Sequence, residues 1–232
     1  MTVASQMTAG SIEDFAGDRR LAEQLAFILE VEKLKNVLRR TPLLDRSRVE
    51  NDAEHTWQVA LMAMVLSEYS DRSIDLPRVI KMLLIHDIVE IDAGDTFAFD
   101  KVAGTSQIER ETRAAKRIFE LLPQDQALEF RSLWDEFEAK VSPESLFANA
   151  MDRLQPMLHS YFTGGENWQS ASVTSFDVER RMQPVAAASG TLGHLVSRLV
   201  NSAIEMGILT PCSDGKIASE VHPPVNGRRQ TC

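Results

Sequence analysis

The amino-acid sequence predicts an all-α chain, and three observations carry that reading. Apolar residues recur at helix spacing in one segment after another, as at Leu21, Leu25, Ile28, Val31, Leu34 and Leu38. Capping residues, prolines and glycines punctuate these segments at helix-length intervals. No sustained alternation of apolar and polar residues marks a strand.

Taken in order, residues 1–14 are small and polar and read as a disordered N-terminus. A first helix is expected from about Asp18 to Arg40, ended by Pro42, because the residue before a proline is pushed out of the helical region. The segment TPLLDRSRVEN reads as a polar loop carrying Arg46 and Arg48. Asn51 or Asp52 caps a second helix, with His55 in its first turn and Val59, Met62, Ala63 and Leu66 on its buried face. Asp75 and Pro77 start a third, whose Val79, Ile80, Leu83, Leu84 and Ile88 fall at helix spacing. It runs into a loop at EIDAGDTFAFD, marked by Gly94 and its acids.

Ser106 to Glu109 has the form of a capping box for a fourth helix ending near Leu122 and Pro123. Asp125 is expected to cap a fifth, carrying Leu128, Leu133 and Phe137. Ser142 and Pro143 open a sixth, with Leu146, Phe147, Ala150, Met151 and Leu154 as its apolar set. Gly164 and Gly165 break the chain before two more helices, at about 175–187 and 190–206, the last closed by Gly207. Residues 211–232, rich in Pro, Gly and charge, read as a disordered tail. One domain of about eight helices, residues 15–210, remains.

The 232 residues suffice for one sizeable core. A formal net charge of −9 argues against a nucleic-acid polymer as partner, yet leaves room for a small phosphate ester that needs only a few local cations. Cys212 and Cys232 both fall in the tail and form no disulfide framework. The N-terminus lacks a basic, apolar leader, and no apolar run is long enough to span a bilayer. Together these give the expectation of a cytoplasmic protein with no membrane partner.

The stretch from Ile80 to Asp100 sets His86, Asp87, Glu90, Asp92 and Asp95 beside a strongly apolar helical run. Half-buried carboxylates are costly unless something pairs with them, and a divalent cation is an effective partner. His86 and Asp87 offer an imidazole nitrogen and a carboxylate oxygen to one point. Glu90, four residues after His86, lies on the same helical face within reach of a water held there. His55 and Asp152 are the further candidate ligands, Asp152 because it stands on an otherwise apolar helix. Two imidazoles with two carboxylates suit Mn²⁺, Co²⁺, Fe²⁺, Ni²⁺ or Zn²⁺ better than Ca²⁺. Each residue also has a plainer reading. His55 can be a capping or surface histidine, Glu90 a solvated charge, and Asp95 a turn residue beside Gly94. Arg39 and Arg40 can simply favour a helix C-terminus. Asp92 reads as orienting the loop, and Trp57 and Trp168 as packing or rim residues.

The combination His55, His86-Asp87 and Asp152, within SRVENDAEHTWQVALMA, IKMLLIHDIVEIDAGDT and NAMDRLQP, resembles the HD-domain metal-dependent phosphohydrolases. The likeness is to the branch of the bacterial HD-domain 5′-deoxynucleotidases and covers residues 18–207. It implies a helical HD-domain bundle, a homodimer, and one divalent metal ion per chain (Mn, Co, Fe, Ni, Zn or Mg). It also implies release of phosphate from a small phosphorylated substrate, a (deoxy)nucleoside 5′-monophosphate. By matched motif positions His55, His86, Asp87 and Asp152 would be ligands. Glu90 would position or deprotonate the attacking water, Asp95 would lie by the substrate or a metal-bound water, and Arg40 would hold the phosphate. The pattern's next residue is a tryptophan that helps select deoxyribose; here it is Thr41, with nothing bulky to exclude a 2′-hydroxyl. The rival readings are the same core acting on another phosphate ester or a nucleoside triphosphate, and a nucleotide-binding regulator without turnover. A di-iron oxygenase needs further histidines, whereas His159, His194 and His222 lie outside the motif.

Overall fold

The computed structural model describes residues 16–99 and 106–212, together with Ile12 and Asp14. The expectations for residues 1–14 and for the tail therefore fall almost wholly outside the described residues. The all-α expectation is borne out, with eight helices of ten residues or more among those described, supplemented by one two-stranded sheet.

That sheet corrects the reading of the first helix. Helix α1, Arg19–Val31, starts where Asp18 accepts a hydrogen bond from the Leu21 N–H, but stops well before Arg40. A 3-10 turn, Glu32–Asn36, and strand β1, Leu38–Pro42, follow, and β1 pairs antiparallel with β2, Val49–Asn51, through a bulged register. The helix-like spacing of Leu34 and Leu38 misleads here: Leu34 is buried by the 3-10 turn, whereas Leu38 is 60% exposed. Within α1 itself Ala22 and Phe27 face the core, while Leu21 and Ile28 of the expected stripe are exposed. TPLLDRSRVEN is thus the hairpin rather than a loop throughout; Leu43 N–H donates to Arg48 O, and Arg46 takes a positive φ of 59° at the turn.

The hairpin delivers the chain into α2, Asp52–Leu66, which Asn51 and Glu54 begin with a complete capping box. Helix α3, Leu76–Ile85, is capped by Asp75 with Pro77 in its first turn, as its sequence expects. It does not continue as an α-helix: His86–Val89 tighten into a 3-10 turn, and the single turn α4, Glu90–Ala93, ends at Gly94 with a φ of 75°.

Two expected caps are absent because arginines take those side chains. Helix α5, Gln107–Phe119, has no side-chain cap, since the Ser106 hydroxyl accepts from Arg110. Helix α6, Gln124–Ala139, starts after Pro123, and Asp125 instead accepts two hydrogen bonds from Arg20 of α1, at 2.7 and 2.8 Å. Leu133 and Phe137 of α6 are buried, but Leu128 is 65% exposed. Helix α7, Pro143–Phe162, opens at the Ser142 cap as expected. After Gly164 and Gly165 come a short helix α8, Glu166–Ser170, then α9, Ser175–Ala188, and α10, Gly190–Glu205. Gly165 is required twice over: its φ is 72°, and a Cβ there would meet Ile208 O at 2.4 Å.

Helix α7 is the axis of the bundle. It packs against α2, α3, α6, α9 and β1, and buries Phe147, Ala148, Ala150, Met151, Leu154 and Met157. One polar position on this helix, Asp152, faces the N-terminus of α2 and the 3-10 turn after α3.

Candidate metal centre and adjoining pocket

Four donors converge from three elements. His55 comes from α2, His86 and Asp87 from the 3-10 turn, and Asp152 from the middle of α7. His55 Nε2 lies 3.1 Å from Asp152 Oδ1 and 3.8 Å from Asp87 Oδ2. His86 Nε2 lies 3.1 Å from Asp87 Oδ1 and 3.6 Å from Asp152 Oδ1.

The far side of each ring decides what the near side offers. His86 Nδ1 is 2.7 Å from the Leu83 carbonyl, to which only an N–H can donate, so in the neutral ring its buried Nε2, which has no hydrogen-bond partner, carries the lone pair. His55 Nδ1 is 3.1 Å from Gln155 Oε1. That amide is oriented by its nitrogen, which donates to Glu50 Oε2 and to Gln58 Oε1, both at 2.9 Å. Gln155 Oε1 therefore accepts from His55, and His55 Nε2 also turns a lone pair inward. Lone-pair nitrogens and carboxylate oxygens of His55, His86 and Asp152 thus come within 4.8 Å of one another. A donor set of this kind fits a divalent ion of the borderline class.

The carboxylates draw positive charge to the same point, a proton on His86 or a metal ion in its place. Burial pushes His86 down, but the carboxylates of Asp87 and Asp152 outweigh it and lift the imidazole well above its ordinary range. Burial likewise opposes ionisation of Asp152, and the two histidines overcome it, holding the carboxyl well below its usual value. His55 is driven down by burial and by the Arg39 charge, towards the neutral form that ligates metals.

A second group of acids, Asp52, Glu90 and Asp95, adjoins the first. Glu90 is buried, its Oε2 has no hydrogen-bond partner, and its carboxyl shares a hydrogen bond with Asp52. Burial, then the charge of Asp87, raises Glu90 well above the usual carboxyl range. Asp52 is pushed up to about 6 by burial and by Asp87. Asp95 lies half-buried just past Gly94, also raised by burial. Asp92 turns away to pair with Arg117, in keeping with its plainer reading.

The hairpin decides which arginine reaches these acids. Arg39 Nη1 lies 3.1 Å from both Asp52 Oδ1 and Asp87 Oδ2 and 3.7 Å from Asp95 Oδ1, and its Nε lies 3.5 Å from Glu50 Oε1. Arg40 does not end a helix. It is the next residue of a strand, exposed, with its guanidinium over the Phe97 ring at 5.2 Å. Thr41, 6% exposed, lines the neighbouring pocket. With Arg39 as the arginine nearest the cluster, the residue standing next to it is Arg40, not Thr41.

Sequence reasoning passed over Asp52 except as a cap, and Glu50, Gln155, Arg153 and Arg181 altogether. Only Gln155 left a signal, standing three residues after Asp152 on one helix. The cluster opens into a cavity that shares a wall with a second, more apolar pocket. Arg39, Asp95, Phe97, Arg153 and Arg181 border both, and Met157, Val178 and Met182 floor the second. Trp168 is 2% exposed and packs beneath that pocket, whereas Trp57 is 65% exposed on the outer surface.

A helical bundle with a buried His-His-Asp-Asp donor set defines the class, and comparison with known proteins agrees: the chain belongs to the HD-domain family, whose model matches residues 31–191. Among solved structures, the chain is similar to a predicted metal-dependent phosphohydrolase from Magnetospirillum magnetotacticum MS-1. The two are 49% identical with a TM-score of 0.79, over 83% of this chain and 99% of that one. Human 5′-deoxynucleotidase HDDC2 is 33% identical over 138 residues, 59% of this chain and 66% of the relative. A 5′-deoxynucleotidase of Yersinia pestis (strain Pestoides F) is 29% identical over 119 residues, 47% of this chain and 59% of the relative. The chain thus spans somewhat less than two thirds of the length of these two curated relatives.

Proposed function

We propose that the protein is a metal-dependent phosphohydrolase that releases inorganic phosphate from (deoxy)nucleoside 5′-monophosphates in the cytoplasm. The observation that carries this reading is the pair of inward-facing imidazole nitrogens, one of them buried without a partner, beside the carboxylates of Asp87 and Asp152. His55, His86, Asp87 and Asp152 would hold one divalent ion, Mn²⁺, Co²⁺, Fe²⁺, Ni²⁺, Zn²⁺ or Mg²⁺. Such an ion, when bound, polarises a phosphoryl oxygen and makes a water molecule acidic enough to attack at neutral pH.

The chain's own residues complete the chemistry. Burial and the charge of Asp87 raise the Glu90 carboxyl above its usual range, and positive charge beside Asp87 favours its ionised form. Its unpartnered Oε2 is then the atom to take a proton from the attacking water. Asp52, hydrogen-bonded to Glu90, holds that carboxyl in place. Arg39 is fixed by Asp52 and Asp87 and brings a guanidinium to the substrate phosphate, while Asp95 stands beside it. Hydrolysis breaks the ester P–O bond, and the departing sugar oxygen leaves as the hydroxyl of the nucleoside.

A phosphate-release screen over ribo- and deoxynucleoside monophosphates tests the reading. Neither Arg40, stacked on Phe97, nor the small Thr41 supplies a tryptophan face against the sugar. Efficiencies for the two sugars are therefore expected to differ by no more than about tenfold, or about 1.4 kcal/mol. No phosphate from any monophosphate would remove the function; a far larger ratio would mean that another residue reads the 2′-hydroxyl.

The homodimer reading is supported by the outer face of α2, where Trp57, Leu61, Met64 and Val65 are exposed at helix spacing. Sedimentation equilibrium is expected to return twice the 26.0 kDa chain mass, and a Leu61→Asp variant to shift towards monomer. A wild-type monomer at tens of micromolar would end this part of the proposal.

A further inference from the structure

We infer that Arg153 and Arg181 form a second anion site, placed to take a further phosphoryl group where a nucleotide ligand carries one beyond the phosphate at the metal centre. The inference rests on the reading above, in which the metal centre and Arg39 take the phosphoryl group that is removed.

The two arginines come from different helices. Arg153 follows Asp152 on α7, Arg181 stands on α9, and Arg153 Nη1 donates to the Arg181 carbonyl at 3.1 Å. Both are half-buried, and both border the metal cavity and the apolar pocket beside it. Among the described residues, neither has a carboxylate within ion-pair distance. Arg39, which borders the same two cavities, is by contrast held by Asp52 and Asp87. Burial and the neighbouring Arg181 disfavour the Arg153 charge, against a weaker opposing pull from Asp152 and Glu138, so two adjacent half-buried guanidiniums with no directly paired carboxylate offer a place for an anion.

Position narrows the anion. His86, Asp87 and Asp152 line the metal cavity, Met157, Val178 and Met182 line the pocket beside it, and Arg39, Arg153 and Arg181 stand on the wall the two share. A nucleotide with its phosphate at the metal centre and its base against these apolar side chains passes the arginine pair with the atoms in between. In a 5′-monophosphate those atoms are a neutral sugar, whose oxygens can accept hydrogen bonds but bring no charge to offset two guanidiniums. A second phosphoryl group there matches them, as a planar guanidinium can donate two parallel hydrogen bonds to phosphate oxygens. That group can sit on the sugar 3′-oxygen or extend the 5′-phosphate into a diphosphate, and the test separates the two.

The experiment measures dissociation constants by calorimetry on metal-loaded Glu90→Gln protein, so that ligands are not consumed. The probes are adenosine 5′-monophosphate, adenosine 3′,5′-bisphosphate and adenosine 5′-diphosphate. At least one two-phosphate ligand is expected to bind about tenfold or more tightly than the monophosphate. Arg181→Gln and Arg153→Gln are each expected to bring that ratio close to one, and Arg181→Lys to restore it only in part. An advantage confined to the bisphosphate assigns the second group to the sugar; one confined to the diphosphate assigns it to the chain. Equal binding of all three ligands overturns the inference, and that comparison needs neither arginine variant to fold. A ratio that survives both Gln variants overturns it too, since the pair would then grip the scissile phosphate or nothing. Phosphate release by the wild-type protein is read separately: its absence with the binding ratio intact would fail the proposed reaction and leave the anion site standing.

Discussion

His86→Ala and Asp152→Ala are each expected to leave the purified protein without its divalent ion and without measurable phosphate release. His86 Nε2 is buried with no hydrogen-bond partner, and its ring is already fixed from behind by the Leu83 carbonyl. Removing the ring leaves Asp87 and Asp152 facing each other across the site with one nitrogen donor fewer. Asp152 Oδ1 is the oxygen that both histidines approach, at 3.1 and 3.6 Å, so its loss opens the centre on two sides. Loss of an outer-shell partner alone typically weakens metal binding 10- to 100-fold, on the order of 1–3 kcal/mol, and loss of a direct donor is expected to exceed that. Gln155→Ala supplies the internal comparison, because it frees the His55 ring without removing a donor. Elemental analysis of the three variants should therefore grade them, with Gln155→Ala retaining more metal than the other two. A full metal complement in His86→Ala or Asp152→Ala would show that the ion binds elsewhere.

Glu90→Gln is expected to do the opposite, keeping the metal and losing turnover by about 10²- to 10⁴-fold, the usual contribution of a positioned acid or base. Glutamine preserves the shape and a hydrogen bond to Asp52 but cannot take a proton. Because burial and Asp87 raise the Glu90 carboxyl above its usual range, the wild-type rate is expected to rise with pH as that carboxyl ionises. This rising limb should be missing from the residual activity of Glu90→Gln. If the variant instead emerges depleted of metal, Glu90 is a ligand and the assignment of proton transfer to it fails.

Much of the fold could be read from local signals. The caps at Asn51, Asp75 and Ser142 depend on residues within one turn of one another, and each forms as its sequence implies. Ser106 and Asp125 show where that logic stops, since Arg110 and Arg20 claim side chains that could otherwise cap. In Asp125 the claimant is 105 residues away, a distance over which sequence carries no spacing rule.

The hairpin was illegible for another reason. Leu34 and Leu38 continue the helical spacing of α1, and a five-residue strand is too short for alternation to stand out against it. The consequence reaches the site, because adjacent strand residues point to opposite faces. A helix ending at Arg40 makes Arg39 and Arg40 near neighbours on one surface; a strand sends Arg39 to the carboxylates and Arg40 to Phe97. The histidines and aspartates themselves stood out because their residue types are rare on apolar helices. Glu50 and Gln155 did not, since only the folded chain brings them together beneath His55.

In the proposed reaction one divalent ion at this centre is required for phosphate release. The most direct test is to strip the purified protein with a chelator, confirm by circular dichroism that it stays folded, and titrate metal back while measuring phosphate release from deoxyadenosine 5′-monophosphate. Activity is expected to be absent in the stripped protein and to rise linearly to a plateau at one equivalent of metal per chain. Undiminished phosphate release by the metal-free, folded protein would contradict the account.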